Sequence, residues 1–443
     1  MAICVFDSPL YRDLFHDAEA GKLFTDSAEV RAMLLVEGAL AKAQGELGVI
    51  PLESALFIHR SSMEVQVDPA GLAAGTGQSA VCIPALVAAF RKAMEAPEHA
   101  QYAHFGATSQ DIIDTGLILR LRQALTLFDQ RLVELIHALG DLAEAHADTP
   151  MAARTWGQVA TPTTFGAAVA AWGTPLIRHR ERLSALRPRL LRISLSGASG
   201  NLSAMGPKGP EVRAAMAASL NLADPGDVWH TARDNVAELG AWLTAVTGSL
   251  SKMAEDLHLM SLSGISEIRL ASAGGSSTMP QKNNPVQPGI TMAIAGMLNG
   301  LNTTLQSTLS HQYQRDGASW LMEWMTLPQM VMGTARALSV ATELAKSVAP
   351  NIDGMARMVQ DPLDLIYAET ISFALADLMP RPEAQAATKD MCKTAVADNI
   401  PLRDLAAAKW PDIDWAALCQ PQNNLGEAVT LAKNFTTNAK VLD

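Results

Sequence analysis

One short segment concentrates residue types that bind and stabilise negative charge. It runs Gly274-Gly275-Ser276-Ser277-Thr278-Met279-Pro280-Gln281-Lys282-Asn283-Asn284-Pro285. A glycine pair, a pair of serines, a lysine and two amides precede an expected helix. The N–H groups of the loop, Lys282 and the helix N-terminus would all favour a bound anion. An ordinary helix-capping linker has a similar composition, so the residue types leave two interpretations open, an anion-binding loop or a cap.

Three stretches rich in Gly, Ser, Thr or Pro interrupt the helical pattern, at residues 104–111, 194–210 and 272–288. Residues that bind or react concentrate on such loops because a rigid scaffold can position them. In the first stretch, Thr108-Ser109 precedes a long apolar repeat, as is typical of a helix N-cap. Asp111 and Asp114 follow as the candidate partners of the helix dipole. His104 lies beside the Thr108-Ser109 pair and is the one histidine that we place at a site. His230 keeps two interpretations, a residue near the site at the start of the Val236 helix or a cap of that helix.

Apolar residues in steps of three and four predict the elements that position these loops. The steps alternate strictly in Val236, Leu239, Leu243, Val246, Leu250, Met253, Leu257 and Met260. Helices are expected from Asp26, which forms a capping box with Glu29, from Asp111, from Thr161-Pro162, after Pro288 and after Pro328. Period-two patterns are nearly absent. We therefore predict an all-α fold with five long helices across residues 111–350.

The chain length of 443 residues exceeds one ordinary core, so several structural units are expected. We predict an N-terminal helical domain at 1–110, a central long-helix bundle domain at 111–354 and a small C-terminal helical domain at 355–443. Charged residues make up only 18% of the chain. Long helices with so few charges favour a homo-oligomer, in which other chains cover part of the surface.

The overall composition excludes several classes of protein. A net charge of -11 argues against nucleic acid, whose phosphates need a basic face. The four cysteines are scattered without metal-ligand spacing, which is typical of free thiols in a reducing cytoplasm. No signal peptide or membrane span is visible, and no motif for a metal or cofactor is present. We expect a cytoplasmic protein without metal or cofactor.

The segment at 274–285 resembles the shared GSSxMxxKxNP loop of the fumarase/aspartase superfamily. The resemblance implies that Ser276 acts as general base at the carbon next to a carboxylate. It implies that Lys282 and Asn284 hold the carboxylate and the developing enediolate, with Ser277 and Met279 also contacting substrate. No metal or cofactor is implied.

Two further segments support the resemblance, which covers nearly the whole chain. Residues 104–115 are similar to the HxGxTSxDxxDT segment of adenylosuccinate lyases, which implies that Thr108 and Ser109 donate to a substrate carboxylate. Residues 154–158 are similar to an RTHxQ segment, with Thr155 and Gln158 as substrate contacts, and Trp156 between them is also expected to contact substrate. The superfamily implies three helical domains, a tetramer built on a twenty-helix core, and active sites shared by three subunits.

One substitution indicates a branch of the superfamily. Most of its lyases carry histidine where this chain has Trp156, and in C–N lyases that histidine protonates the leaving nitrogen. A carboxylate leaving group has a conjugate acid near pKa 4 and gains little from such protonation. Trp156 therefore fits lactonisation, and the RTW sequence resembles the 3-carboxy-cis,cis-muconate cycloisomerase branch. Trp320 and Trp324 replace a serine and an arginine that bind phosphate in adenylosuccinate lyases, although simple core packing would also explain them.

Other positions depart from the cycloisomerase pattern. Gln281 and Asn283 stand in place of histidine and arginine, Val159 in place of histidine and Gln314 in place of glutamate. One expected cation is thereby missing, and Arg12, Arg315 or Arg233 are the candidates to compensate. A C–N or C–O lyase of the same superfamily, releasing fumarate or a related acid, is the alternative. A structural protein without catalysis, as in eye lens, is disfavoured because the loop retains its serine, lysine and asparagine.

Overall fold

The computed structural model describes residues 4–271, 274–275 and 277–442. Helices dominate these residues, as the all-α prediction expects. The α-helices are α1 (Arg12–Phe15), α2 (Ala18–Leu23), α3 (Asp26–Glu46), α4 (Leu52–Glu64), α5 (Ala73–Ser79), α6 (Ile83–Ala93), α7 (Pro97–Ala100), α8 (Ser109–Ala145), α9 (Phe165–Leu190), α10 (Gly209–Leu220), α11 (Asp234–Met260), α12 (Val286–Ser307), α13 (Gly317–Ser347), α14 (Ile352–Val359), α15 (Ala368–Ala376), α16 (Arg381–Asp398), α17 (Leu402–Lys409), α18 (Trp415–Leu418) and α19 (Ala428–Lys440). Short 3-10 helices lie at Pro69–Leu72, Ser203–Lys208, Leu365–Tyr367 and Pro421–Asn424.

Five helices of 22 to 37 residues confirm the predicted long-helix region. They are α8, α9, α11, α12 and α13. Outside that region α3 is nearly as long, with 21 residues. The 37 residues of α8 correspond to a length of about 56 Å. The strict three-and-four pattern of α11 is buried, from Val236 through Leu250 to Met260. The periodicity of the sequence therefore identified both the existence and the inward face of this helix.

Helix boundaries differ from the predictions where a nearby side chain caps the helix instead. Thr25, not Asp26, caps α3, and its hydroxyl accepts from the Ala28 N–H at 3.1 Å. Thr164, not Thr161, caps α9, because the Ala167 N–H donates to the Thr164 hydroxyl at 3.0 Å. Helix α13 begins at Gly317 and contains Pro328 in its interior, so the expectation that it starts after this proline was wrong.

The expected helix start at Thr161-Pro162 is instead part of a β-hairpin. Strand β1 (Pro150–Thr155) pairs antiparallel with β2 (Gln158–Thr164), and Ala152 lies opposite Pro162. Trp156 and Gly157 form the turn with φ of 54° and 75°, the positive values that tight hairpin turns require. A second pair of strands, β3 (Ile268–Arg269) and β4 (Ala349–Pro350), is only two residues long.

The chain divides into two compact units, each built from separated stretches of sequence. The first comprises Met1–Gln130, His179–Gly248 and Ile294–Ala337, and the second comprises Arg131–Arg178, Ser249–Ala293 and Leu338–Asp443. In the second unit, C-terminal residues such as Ile371, Met391 and Trp415 form a buried core cluster. Among the described residues, none of the helices combines the length and the apolar character needed to cross a membrane.

Candidate active site

Asp111 organises the loop that leads into α8. Its carboxylate accepts from the Thr108 N–H at 3.0 Å, the Ser196 N–H at 2.8 Å and the Gly197 N–H at 3.0 Å. The His230 Nε2 lies 2.8 Å from the same carboxylate, and both side chains are buried. The predicted dipole partner Asp111 therefore also ties together two loops that are far apart in sequence.

The predicted anion contacts Thr108 and Ser109 lie at the head of α8, where Ser109 is its first residue. Unpaired N–H groups and the helix dipole make such a position favourable for a carboxylate. Arg315 lies against the same loop and donates to Gln110 Oε1 at 3.2 Å and to the Ala198 carbonyl at 3.1 Å. Arg315 therefore contacts the segment that contains Thr108 and Ser109, and the role of these three residues as substrate contacts stays a prediction.

His104 precedes these residues and has a left-handed backbone, with φ of 63°. Its Nδ1 lies 2.7 Å from Oε1 of Glu37, a buried carboxylate on α3. Burial alone would lower the pKa of His104, but the hydrogen bond and charge of Glu37, with the charge of Asp111, raise it above its ordinary value. The imidazole is therefore biased toward its protonated, cationic form.

Arg233, one of the candidates to replace the missing cation, is already neutralised. Its guanidinium donates to Asp114 at 2.6 Å and to Glu323 at 2.9 Å, and all three side chains are buried. Trp320 is also buried, and its indole N–H donates to Asp114 at 3.2 Å. The ring centroids of Trp320 and Trp324 lie 4.8 Å apart. This arrangement leaves Arg233 a structural role and favours core packing for Trp320. Asp114 is thus an ion-pair partner and not a partner of the helix dipole.

Arg12, another of the candidate cations, lies in the four-residue helix α1 and is exposed. It belongs to the first unit, together with the other predicted contacts of that unit, His104, Thr108, Ser109 and Arg315. The second unit contains Thr155, Trp156, Gln158, Ser277, Met279, Lys282 and Asn284.

The hairpin of the second unit presents three predicted contacts at its tip. Thr155 and Gln158 lie opposite each other in the last pair of the ladder, and both are exposed. Trp156 is fully exposed, which is unusual for so large an apolar side chain. Two hydrogen bonds of 2.8 and 3.0 Å from Arg154 to the buried carboxylate of Glu267 anchor the hairpin below its tip. The ion pair therefore anchors the hairpin, while the side chains at its tip are exposed to solvent.

The loop at 274–285 is closed by a pair of backbone hydrogen bonds. Gly274 and Asn284 exchange N–H···O bonds of 2.9 and 2.8 Å, and α12 begins two residues later. Ser277, Met279 and Lys282 are exposed, and Asn284 is partly buried. The predicted base Ser276 lies outside the described residues. The loop thus precedes a helix N-terminus, as the sequence predicted.

Sequence reasoning missed Glu37 and left His230 undecided between a site residue and a cap. Glu37 does carry a signal, because it falls between Met33 and Leu40 on the face of α3 that the apolar pattern marks as buried. A charged residue at such a position needs a partner. The pairing of His230 with Asp111, 119 residues apart, has no local signal.

No group of three or more His, Cys, Asp or Glu that could hold a metal ion occurs among the described residues. The predicted site residues supply hydroxyls, amides and cations, and Ser109 lies at a helix N-terminus. Such groups can bind carboxylates and stabilise the negative charge that develops on them.

Comparison with known proteins gives consistent results. Residues 18–300 match the family model described as lyase. The chain is 38% identical over 432 residues to 3-carboxy-cis,cis-muconate cycloisomerase of Pseudomonas aeruginosa, covering 95% of this chain and 94% of the relative. It is 33% identical to trans-aconitate decarboxylase 1 of Mycosarcoma maydis, covering 94% of this chain and 86% of the relative.

Solved structures agree with these sequence matches. The crystal structure of 3-carboxy-cis,cis-muconate lactonizing enzyme from Pseudomonas putida superposes with a TM-score of 0.92 at 34% identity. The match covers 98% of this chain and 99% of that structure. With the sequence motifs, the helical fold and the family match in agreement, the chain belongs to the lyase family of the fumarase/aspartase superfamily.

Proposed function

We propose that the chain is a 3-carboxy-cis,cis-muconate cycloisomerase, an intramolecular lyase that forms a lactone. The observation that carries the proposal is the 38% identity, over nearly the whole chain, to an enzyme of that name. The exposed Trp156 at the hairpin tip supports it. A step in aromatic-acid breakdown through protocatechuate, the β-ketoadipate pathway, would be the physiological role.

The reaction forms one C–O bond and one C–H bond across a conjugated double bond. A carboxylate oxygen of the substrate adds to one carbon, and negative charge develops on another carboxyl as an enediolate. Thr108, Ser109, Lys282 and Asn284 would stabilise this charge, with N–H groups at the helix N-termini. The Ser276 hydroxyl would then donate its proton to the α-carbon and recover one from solvent. In reverse, Ser276 as alkoxide removes that proton, which requires nearby cations to lower its pKa.

Trp156 occupies the position where other lyases have a histidine that acts as general acid, so this chain has no general acid there. The lactone-forming direction has no leaving amine, and in reverse the leaving group is a carboxylate, so an acid there contributes little. An apolar ring at the tip would instead exclude water from the enediolate. The tryptophan therefore suits lactonisation better than elimination of an amine.

We also propose a homotetramer with a twenty-helix core and active sites shared by three subunits. The predicted contacts in the second unit support this, because Trp156, Gln158 and Lys282 are exposed in the single chain. Large exposed apolar groups beside polar ones are typical of surfaces that another chain covers. The three domains predicted at 1–110, 111–354 and 355–443, and a cytoplasmic location consistent with four free cysteines, belong to the same proposal.

Mixing two inactive variants tests the shared site. Arg315→Ala alters a contact of the first unit, and Ser276→Ala alters the loop at 274–285. If different subunits supply these residues, random mixed tetramers should regain about a quarter of wild-type activity. Each variant mixed with itself is the control. Absence of any regain, with exchange of subunits demonstrated by mass, would contradict the shared site.

Ultraviolet absorbance of 3-carboxy-cis,cis-muconate mixed with the purified protein tests the activity. Loss of the conjugated-diene band with formation of a lactone is the expected result. An unchanged band with a folded tetramer would refute the proposal. Succinyl-amine adducts, followed by release of fumarate, then test the alternative lyase, and trans-aconitate tests whether the chain acts on a different tricarboxylate.

A further inference from the structure

Helix α3 carries two buried polar side chains on a face that is otherwise apolar. Glu37 and Gln44 are seven residues apart, so they lie two turns apart on the same side. Gln44 Nε2 donates to the Phe105 carbonyl at 2.7 Å, and Glu37 contacts the His104 ring. The two buried polar side chains of this helix therefore contact adjacent residues of one loop.

A third contact comes from a different helix. The Arg91 guanidinium, on α6, donates to the Ala103 carbonyl at 2.7 Å. Residues 103, 104 and 105 are thus each held by a separate side chain. These contacts maintain the left-handed backbone of His104, a conformation that costs about 1 kcal/mol or more for a residue other than glycine.

The His104 ring has one edge occupied and one edge open. Nδ1 faces Glu37, whereas Nε2 has no hydrogen-bond partner among the described residues. The side chain is 19% exposed, and Glu37 is 1% exposed. The carboxylate therefore fixes the orientation of the ring from inside, and Nε2 is the atom left for a ligand.

Burying Glu37 is costly for the fold. Its second oxygen, Oε2, is buried without a hydrogen-bond partner in the described part of the chain. A buried carboxylate with one unsatisfied oxygen destabilises a protein relative to an apolar side chain of similar size. Packing alone would therefore favour leucine or methionine at this position, and a function at His104 accounts for the carboxylate.

We propose that Glu37 is a positioning residue that orients His104 and keeps it protonated, so that His104 Nε2 supplies a cation to a carboxylate of the substrate. The proposal rests on the proposed function, since it concerns the same anionic substrate. It identifies a replacement for the cation that is missing at Asn283. Arg233 cannot fill this role, because Asp114 and Glu323 already neutralise it.

The charges around His104 support a protonated ring. Glu37 on α3 and Asp111 on α8 raise its pKa, and Arg91 on α6 lowers it, while burial has the largest individual effect and also lowers it. The two carboxylates outweigh the arginine and the burial. His104 lies four residues before Thr108, so its positive charge adds to the N-terminal end of α8.

The test compares Glu37→Gln with the wild-type tetramer. The amide keeps the size of the side chain and can still accept from Nδ1–H, but it removes the charge. The titration midpoint of His104, measured by hydrogen–deuterium exchange at its Cε1 with mass spectrometry, should fall in this variant. Glu37→Asp should restore much of the shift because it restores the charge. Equal midpoints in wild type and Glu37→Gln would overturn the proposal.

Kinetics give a second readout. The kcat/KM of the wild type should decrease as pH rises through the His104 titration, and in Glu37→Gln this decrease should move to lower pH. At a pH between the His104 midpoints of the two proteins, the variant should show a KM about tenfold higher with kcat less affected, because a charge-assisted contact is lost. A pH profile that Glu37→Gln leaves unmoved would contradict a charging role.

Gln44→Met is the matched control, since it removes a contact between α3 and the same loop without changing any charge. It should leave the pH midpoint unchanged, and a shift as large as that of Glu37→Gln would assign the effect to loop distortion. The exchange measurement uses no substrate. A wild type inactive on the muconate with a normal exchange result would therefore reject the proposed function and not the role of Glu37.

Discussion

The loop at 104–111 and the loop at 274–285 both carry predicted substrate contacts, yet the chain stabilises them very differently. In the first, the buried side chains of Gln44 and Asp111 bind backbone groups, and buried Glu37 binds the His104 ring. In the second, backbone hydrogen bonds between Gly274 and Asn284 close the loop, and the Lys282 N–H donates to the Met279 carbonyl at 3.0 Å. Most of the side chains described in this loop are exposed.

The difference separates two ways of building a binding site. The first loop is preorganised by its own chain, so its donors need little reordering when a carboxylate binds. In the second, the side chains of Ser277 and Lys282 are exposed in the single chain. A loop of that kind can be ordered by substrate or by another subunit, and its residues can serve chemistry without contributing to stability.

The largest expected effect is on catalysis by the exposed loop. Ser276→Ala should reduce kcat by about 10²–10⁴-fold, because general acid–base catalysis usually contributes that much. The unfolding midpoint should stay at the wild-type value, because the role proposed for Ser276 is catalytic. Steady-state kinetics with thermal unfolding measure both. Ser277→Ala is the comparison, and an equal loss of kcat in both variants would remove the special role of Ser276.

The preorganised loop should show the opposite behaviour. Asp111→Ala leaves the N–H groups of Thr108, Ser196 and Gly197 without their acceptor in a buried place, which should lower the free energy of unfolding by about 3 kcal/mol. Asp141→Ala, an exposed position on the same helix, should change it by less than about 0.5 kcal/mol. Denaturant unfolding measures the two, and similar values would mean that Asp111 does not hold the loop.

Sequence patterns were sufficient for the parts of the fold that depend on regular burial. The three-and-four spacing of Val236 to Met260 identified α11 because a buried helix face must be apolar at those positions. The hairpin escaped detection because Thr161-Pro162 satisfies helix-start rules equally well, and only pairing with β1 selects the strand. Competing local preferences of this kind are decided by tertiary contacts.

The candidate site shows the same limit. The position of Thr108-Ser109 at a helix head followed from the sequence, because capping is a local interaction. The contacts of Asp111 with His230 and of Glu37 with His104 join residues 119 and 67 positions apart. Local patterns do not specify such pairs, although Glu37 was detectable as a charge on a buried face.

A smaller effect is expected from the exposed lysine of the second loop. Lys282→Met should raise KM about tenfold, because one charge-assisted contact to a substrate carboxylate is lost. Stability should not change, since the side chain is exposed and has no ion-pair partner among the described residues. Lys433→Met, an exposed change in the same unit, is the control for general charge effects. An unfolding midpoint that falls in Lys282→Met would show that this loop also supports the fold.

The smallest effect concerns the pH dependence of stability in the first loop. The pKa of His104 is raised in the folded chain, so protonation stabilises the fold below the ordinary histidine range near pH 6.5. That contribution is lost as pH rises through the higher folded-state pKa. Wild type should therefore exceed His104→Gln in free energy of unfolding by about 1 kcal/mol at pH 6, and by less at pH 9. Denaturant unfolding of both proteins across this range measures the difference. If this difference in free energy of unfolding grew with pH, the folded state would prefer the neutral His104 ring. Packing and uncharged hydrogen bonds, and not the charge of His104, would then stabilise the loop at 104–111.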